Sequence, residues 1–161
     1  MITFRRLNVL LFLFTLCLIA FSFYSEYAKQ IEPCLLCLAQ RLVIIILAVI
    51  FFITLLHRHN QFTKWFYNLI TLFFECLGLA AAARQLFLQL SPNAHLSCLP
   101  GAAQLLKTLP LTQVLKLTVS GTSECSAVPW KILGLSPALW LIFCFIAMII
   151  VTLFQFRSRV R

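Results

Sequence analysis

The chain has 161 residues, 62% of them hydrophobic, with thirteen Lys and Arg against four acids and a formal net charge of +9. So few charges in so much apolar sequence exclude an ordinary soluble domain and leave a membrane protein. The positive charge does not argue for nucleic acid, because the basic residues gather in short segments at the ends of apolar stretches, the pattern of membrane helices.

The first apolar stretch runs from Leu7 to Ser25, 19 residues behind Arg5 and Arg6. It is longer than the roughly 7–15-residue core of a secretory signal and no clear A-x-A site follows, so it is read as a retained span. With Leu42 to Leu56, Trp65 to Ala83 and Pro137 to Phe156 it makes four spans and leaves no room for a separate soluble domain. The basic segments are Arg5 and Arg6, then Arg58 and Lys64 with His57 and His59, then Arg157, Arg159 and Arg161. Four crossings put all three on one side, which the positive-inside rule makes the cytoplasm, with both termini there.

Leu42 to Leu56 is 15 residues, about 22 Å as a helix, and falls short of the roughly 30 Å hydrocarbon core. The second span therefore starts earlier, near Cys34 to Leu38. That sets the C-x-x-C of EPCLLCLAQR at the membrane edge and Arg41 about a turn below it. On one helix Cys34, Cys37 and Arg41 fall at i, i+3 and i+7 and share a face. Snorkelling to the surface is one use of that arginine. The other is to stabilise a thiolate at Cys37 and donate hydrogen bonds to an electron acceptor reached from within the membrane.

The seven cysteines sort by side. Cys17, Cys76 and Cys144 fall inside spans, where a thiol is expected to be a small buried hydrophobe. Cys34, Cys37, Cys98 and Cys125 fall in or beside the external segments, where disulfides persist. Two structural disulfides are the plainest use, and a fair one for Cys98 and Cys125. A C-x-x-C bridge, however, closes too few residues to constrain the unfolded chain, and this spacing recurs where thiols exchange. Zinc fits less well, because Cys98 and Cys125 are single and far apart and Leu35 and Leu36 are expected to face lipid depth rather than form a polar turn.

Glu75 sits near the middle of the third span, where an acid is a functional candidate by default. A neutral glutamate hydrogen-bonded inside the bundle is one reading, and quinone proton chemistry is the sharper one. The helix then runs out through Arg84 and Gln85 to Pro92. In LPLTQVLKLTVSG, Leu111, Val114, Leu115 and Leu117 make an apolar side against Gln113 and Lys116, which predicts a short helix on the membrane surface. Such an element lets a long loop carry Cys98 or Cys125 across to the dithiol. GTSECSAVPWKILGLSPALW enters the last span, with Gly121 as a turn breaker, Pro137 at its mouth, and Trp130 and Trp140 as interface anchors. The expected fold is an all-α membrane protein: one four-transmembrane-helix bundle with spans at approximately 7–25, 35–56, 65–88 and 137–156, external loops at 26–34 and 89–136, and a short membrane-surface helix in the second loop.

These features together resemble the DsbB family of inner-membrane thiol oxidases over nearly the whole chain. They are four spans, P-C-L-L-C followed by Arg41, Cys98 beyond a proline-containing exit from the third span, then E-C-S-A-V-P-W-K-I-L-G-L-S-P-A-L-W into the fourth. The resemblance implies a bacterial inner-membrane protein that reoxidises a periplasmic thioredoxin-like partner, DsbA, and passes the electrons to a membrane quinone, ubiquinone or menaquinone. It implies that Cys98 is attacked by the partner's thiolate and forms the mixed disulfide, that Cys125 is released and passes the oxidation to Cys34–Cys37, and that Cys37 is the thiolate apposed to the quinone with Arg41 polarising a ring oxygen. The expected resting pairs are Cys34–Cys37 and Cys98–Cys125, with a Cys34–Cys125 bond as an intermediate. Some family members carry a histidine at the outer end of the third helix where Gln85 stands here. Glutamine hydrogen-bonds a quinone oxygen but carries no proton, which leaves Arg84 as a second candidate. Two other readings compete. One is a vitamin-K-epoxide-reductase-like quinone reductase, whose C-x-x-C stands late in its helix bundle rather than at the start of the second span. The other is a non-enzymatic tetraspan protein whose two disulfides only hold the loops.

Overall fold

The structure, a computed structural model, describes residues 4–29, 34–57, 60–90, 110, 112–113, 116 and 134–157. It contains four long helices: α1 (Phe4–Lys29), α2 (Leu35–Leu56), α3 (Gln61–Leu90) and α4 (Pro137–Arg157). All four are long and apolar enough to cross a membrane. Helix α2, with 22 residues, extends about 33 Å and matches the hydrocarbon thickness. Short connections make α1, α2 and α3 antiparallel neighbours. The packing runs from α1 to α2 to α3 to α4 and closes through a thinner contact between α4 and α1. The chain is a multi-pass, all-α membrane protein.

Local chemistry sets the helix ends. Cys34, extended at φ −71° and ψ 166°, caps α2, its Sγ accepting the Cys37 backbone N–H at 3.4 Å. At α4, Pro137 occupies the first helical position, where its missing N–H costs no helix bond. The Ser136 carbonyl accepts from Leu139 and Trp140 at 3.1 and 3.3 Å. Gly134 precedes it at φ +82°, a left-handed conformation that glycine adopts without strain. Helices α1 and α3 outrun the apolar stretches, with α1 taking in Arg5, Arg6 and Glu26 and α3 taking in Lys64 and Arg84. Apolar runs mark the hydrocarbon, whereas a helix continues wherever charged heads can reach the interface or a partner.

Inside and outside are inverted relative to a soluble bundle. On α3 the buried residues are Lys64, Asn68, Thr71, Glu75, Gly78, Ala82, Gln85 and Leu88, at steps of three or four. Phe62, Trp65, Phe66, Phe73 and Phe87 of the same helix point outward. Apolar side chains lose nothing by facing lipid, while polar groups there must find partners within the protein. The apolar core proper is formed by Leu11, Val43, Ile44, Leu47, Phe51, Ala82, Phe145 and Met148.

Two local expectations are corrected. Cys17 and Cys76 are exposed on the helix surface and Cys144 is half-buried, all three free thiols. A small, weakly polar thiol tolerates lipid, so the bundle has no need to enclose it. Leu35 and Leu36 are buried at 4% and 3% exposure rather than facing lipid, because the first turn of α2 lies against α3, where Leu36 packs with Cys34 and Leu88. Cys98, Cys125, Trp130, Arg58, His59, Arg159, Arg161, Pro92, Gly121, and Leu111, Val114, Leu115 and Leu117 of the surface segment lie outside the described residues. Within that segment Thr112, Gln113 and Lys116 are helical and exposed.

Gly78 marks the close approach of α3 to α4, since a Cβ there would overlap the ring of buried Phe145. Gly78→Ala is expected to cost about 1–3 kcal/mol, read as an earlier thermal unfolding transition in detergent. An unchanged transition would mean that the two helices do not meet at this point.

Candidate active site

The antiparallel arrangement brings the C-terminal ends of α1 and α3 and the N-terminal ends of α2 and α4 to one end of the bundle. There α2 opens with its two thiols. Cys34, 4% exposed, and half-buried Cys37 hold their sulfurs 2.8 Å apart. The two side chains are thus turned toward each other, as a disulfide between them requires. The first amides of a helix have no partners within it and its dipole favours negative charge. Cys34, as the cap, uses one of these amides, that of Cys37.

A second donor comes from α3. Gln85 Nε2 donates to Cys37 Sγ at 3.2 Å and reaches Cys34 Sγ at 3.9 Å. The other end of that amide, Oε1, accepts from Gln40 Nε2 at 2.9 Å. Both glutamines are buried, and Leu36, Leu88 and Ala81 complete an apolar wall around the sulfurs. Negative charge on the sulfurs would thus meet N–H donors in a partly sheltered setting, where a hydrogen bond is stronger than in water.

Arg41 lies one turn along α2 but turns toward α1. Its Nη1 donates to Glu26 Oε2 at 2.6 Å, its Nε to Ser22 Oγ at 2.9 Å and its Nη2 to the Ser22 carbonyl at 3.5 Å. The guanidinium stands 4.6 Å from the centre of the Phe23 ring. A residue four places on is rotated by about 40° around the helix, enough for Arg41 to face α1 while the sulfurs face α3. A carboxylate beside it compensates a cation held partly out of water. Arg84 is exposed on α3, 5.5 Å from the centre of the Phe87 ring.

Glu75 belongs to another level of the bundle. It is fully buried, its Oε1 accepts from Thr152 Oγ1 at 2.9 Å, and its Oε2 has no hydrogen-bond partner among the described residues. Ten residues separate it from Gln85, about 15 Å along the helix axis.

Sequence reading missed Gln40, Glu26 and Ser22. Gln40 offered a faint signal, a polar residue three places after Cys37 in an otherwise apolar run. Glu26 offered another, as one of only four acids and placed at the end of the first span.

A family model described as Disulfide bond formation protein DsbB matches residues 4–155. Disulfide bond formation protein B of Stutzerimonas stutzeri (strain A1501) is 35% identical over 156 residues, 96% of this chain and 96% of its own length. That of Hahella chejuensis (strain KCTC 2396) is 35% identical over 161 residues, 99% of this chain and 98% of its own. That of Methylococcus capsulatus (strain ATCC 33009 / NCIMB 11132 / Bath) is 31% identical over 158 residues, 98% of this chain and 96% of its own.

The ion pair across α1 and α2 is testable by a double-mutant cycle. Glu26→Ala and Arg41→Ala are expected to show a coupling of about 1 kcal/mol in thermal unfolding in detergent, since the pair is only partly sheltered. Additive effects would show that the two side chains do not interact.

Proposed function

Because the chain belongs to the DsbB family of disulfide bond formation proteins, we propose that it is the inner-membrane oxidase of a periplasmic DsbA-like dithiol protein and passes the electrons through two cysteine pairs to a bilayer quinone. The observation that carries this reading is the Cys34/Cys37 pair. Its sulfurs are 2.8 Å apart and hydrogen-bonded by Gln85, at the end of a bundle whose outer surface is apolar. An acceptor dissolved in lipid and a thiol arriving from the aqueous side can both reach such a place.

The need for an acceptor follows from redox poise. A DsbA-type dithiol has a potential near about −120 mV, so only a stronger oxidant keeps it in the disulfide form. The donor set supports a quinone, because ring oxygens accept hydrogen bonds and the chain offers N–H groups beside the thiols. Gln85 is one source. Arg41 is another, since a guanidinium carries five N–H donors and its bonds to Glu26 and Ser22 use three. Arg84 is a further cation on the same helix as Gln85. A quinone, when bound, accepts two electrons and two protons, so one dithiol oxidised to a disulfide balances one quinol formed.

In this reading the partner's thiolate attacks Cys98, the Cys98–Cys125 bond breaks, and a mixed disulfide forms. Cys125 leaves as the thiolate and attacks Cys34, which releases Cys37 as a thiolate. The resting pairs are Cys34–Cys37 and Cys98–Cys125. Cys37, with Gln85 donating to its sulfur, is the group that faces the acceptor, and Arg41 lends positive charge close by. The dithiol end is periplasmic. Arg5, Arg6, Lys64 and Arg157 lie toward the opposite helix ends, and that basic end is cytoplasmic by the positive-inside rule.

The test is quinone reduction by the purified protein in detergent with a reduced thioredoxin-like donor. Turnover by the parent, none by Cys37→Ala, and an apparent quinone KM raised about tenfold in Arg41→Ala are expected, tenfold being the loss of one charge-assisted hydrogen bond. A parent without quinone-dependent oxidation would overturn the reading.

A further inference from the structure

We propose that Gln40 is a positioning residue for the dithiol, holding the Gln85 amide with its N–H, and not its carbonyl oxygen, toward the sulfurs. The proposal rests on the Cys34/Cys37 pair as the redox site and adds a residue whose amide hydrogen-bonds Gln85 and not a sulfur.

The two ends of a primary amide are alike in shape and opposite in polarity, so a half-turn about the last side-chain bond costs little by itself. At Gln85 that half-turn decides everything for the sulfurs. In the observed orientation a thiolate at Cys37 receives an N–H at 3.2 Å. In the reversed one it would face carbonyl lone pairs. Gln40 and Gln85 are 1% and 6% exposed, and water is therefore not at hand to satisfy whichever end is left over.

Gln40 supplies the missing preference from α2. Its Nε2 donates to Gln85 Oε1 at 2.9 Å, and turning Gln85 alone would set donor against donor. Turning both glutamines would restore their mutual bond but put oxygen against a thiolate. The charge on sulfur and the amide of Gln40 thus favour the same arrangement. An amide whose oxygen accepts a hydrogen bond is also the better N–H donor, since linked hydrogen bonds polarise one another. Gln40 was not singled out by the C-x-x-C spacing, and its use depends on α3 lying against this face of α2.

The ionisable groups at this end of the described helices are few. By their place in the chain they are Cys34 and Cys37 themselves and Arg41 on α2, Tyr24, Glu26, Tyr27 and Lys29 on α1, and Arg84 on α3. Arg41 is engaged with Glu26, and Arg84 lies beside the Phe87 ring. The uncharged glutamines can be replaced without altering this set.

The test is the pH profile of Cys37 alkylation in the fully reduced, full-length protein in detergent, followed by peptide mass spectrometry with a small neutral maleimide. Gln85→Met is expected to slow alkylation at neutral pH about tenfold, the worth of one hydrogen bond to a charged group. Gln40→Met is expected to slow it several-fold, with the profile moved to higher pH and the plateau at high pH unchanged. In the Gln85→Met background the Gln40 substitution is expected to add nothing. If Gln40→Met does not stay folded, Gln40→Asn keeps the amide on a shorter arm and is expected to show the same loss.

A profile unmoved by Gln40→Met, or moved equally in both backgrounds, would overturn the proposal. Faster alkylation at every pH would also overturn it, because that is the signature of loosened packing. The assay contains neither quinone nor partner protein. A parent that fails to reduce quinone while its variants shift as described would sink the proposed function and leave Gln40 in its role, and quinone turnover without the shift would do the reverse.

Discussion

Inside a bilayer a polar group has no water to return to, so a helix that carries one inward gains by finding it a partner within the protein. That constraint organises this protein. Lys64, Asn68, Thr71, Glu75 and Gln85 lie on the inner stripe of α3 while Phe62, Trp65, Phe66, Phe73 and Phe87 face outward. The answers come from neighbours: Thr152 on α4 donates to Glu75, and Gln40 on α2 donates to Gln85. Where side chains are small, as at Gly78, the helices close to contact, and Phe145 fills the space. Packing supplies the cohesion that hydrophobic burial supplies in water, and hydrogen bonds fix which helix faces which.

The same constraint shapes the end of the bundle where the thiols stand. A sulfur that is to carry negative charge away from water needs donors already in place. The cap of α2 gives Cys34 a backbone N–H, and α3 gives Cys37 the Gln85 amide. A fixed cation nearby needs an acceptor as well, and α1 provides Glu26 and Ser22 for Arg41. Three helices each commit side chains to one dithiol region. The arginine is therefore held in a definite position, partnered from one side and still with N–H groups to offer.

Much of the fold was legible in the sequence because hydrocarbon imposes length and polarity together. Four apolar stretches with basic segments at their ends pointed to a four-helix membrane bundle, and the order P-C-L-L-C, Arg41, Cys98 and E-C-S-A-V-P-W-K-I-L-G-L-S-P-A-L-W pointed to the DsbB family. Helix limits were less legible, since α1 and α3 continue through Arg5, Glu26 and Lys64 where the apolar signal has ended. The surroundings of the thiols were legible only in part. Helical spacing puts Cys34, Cys37 and Arg41 on one broad face, but it does not say that α3 covers the sulfurs while α1 takes the guanidinium. Gln40 and Glu26 are ordinary polar residues until those neighbours are known. Leu35 and Leu36 passed as lipid-facing for the same reason, and Cys17 and Cys76 passed as buried.

What separates a relay from a staple is how readily its bond is reduced. The most direct measurement is the reduction potential of the Cys34–Cys37 pair in the purified protein, equilibrated against dithiol buffers of graded potential with both thiols counted by mass spectrometry. A pair poised to exchange is expected well above about −300 mV, within reach of a mild dithiol. A pair that stays oxidised below about −300 mV behaves as a structural disulfide, and that result would contradict a redox role for this end of the bundle.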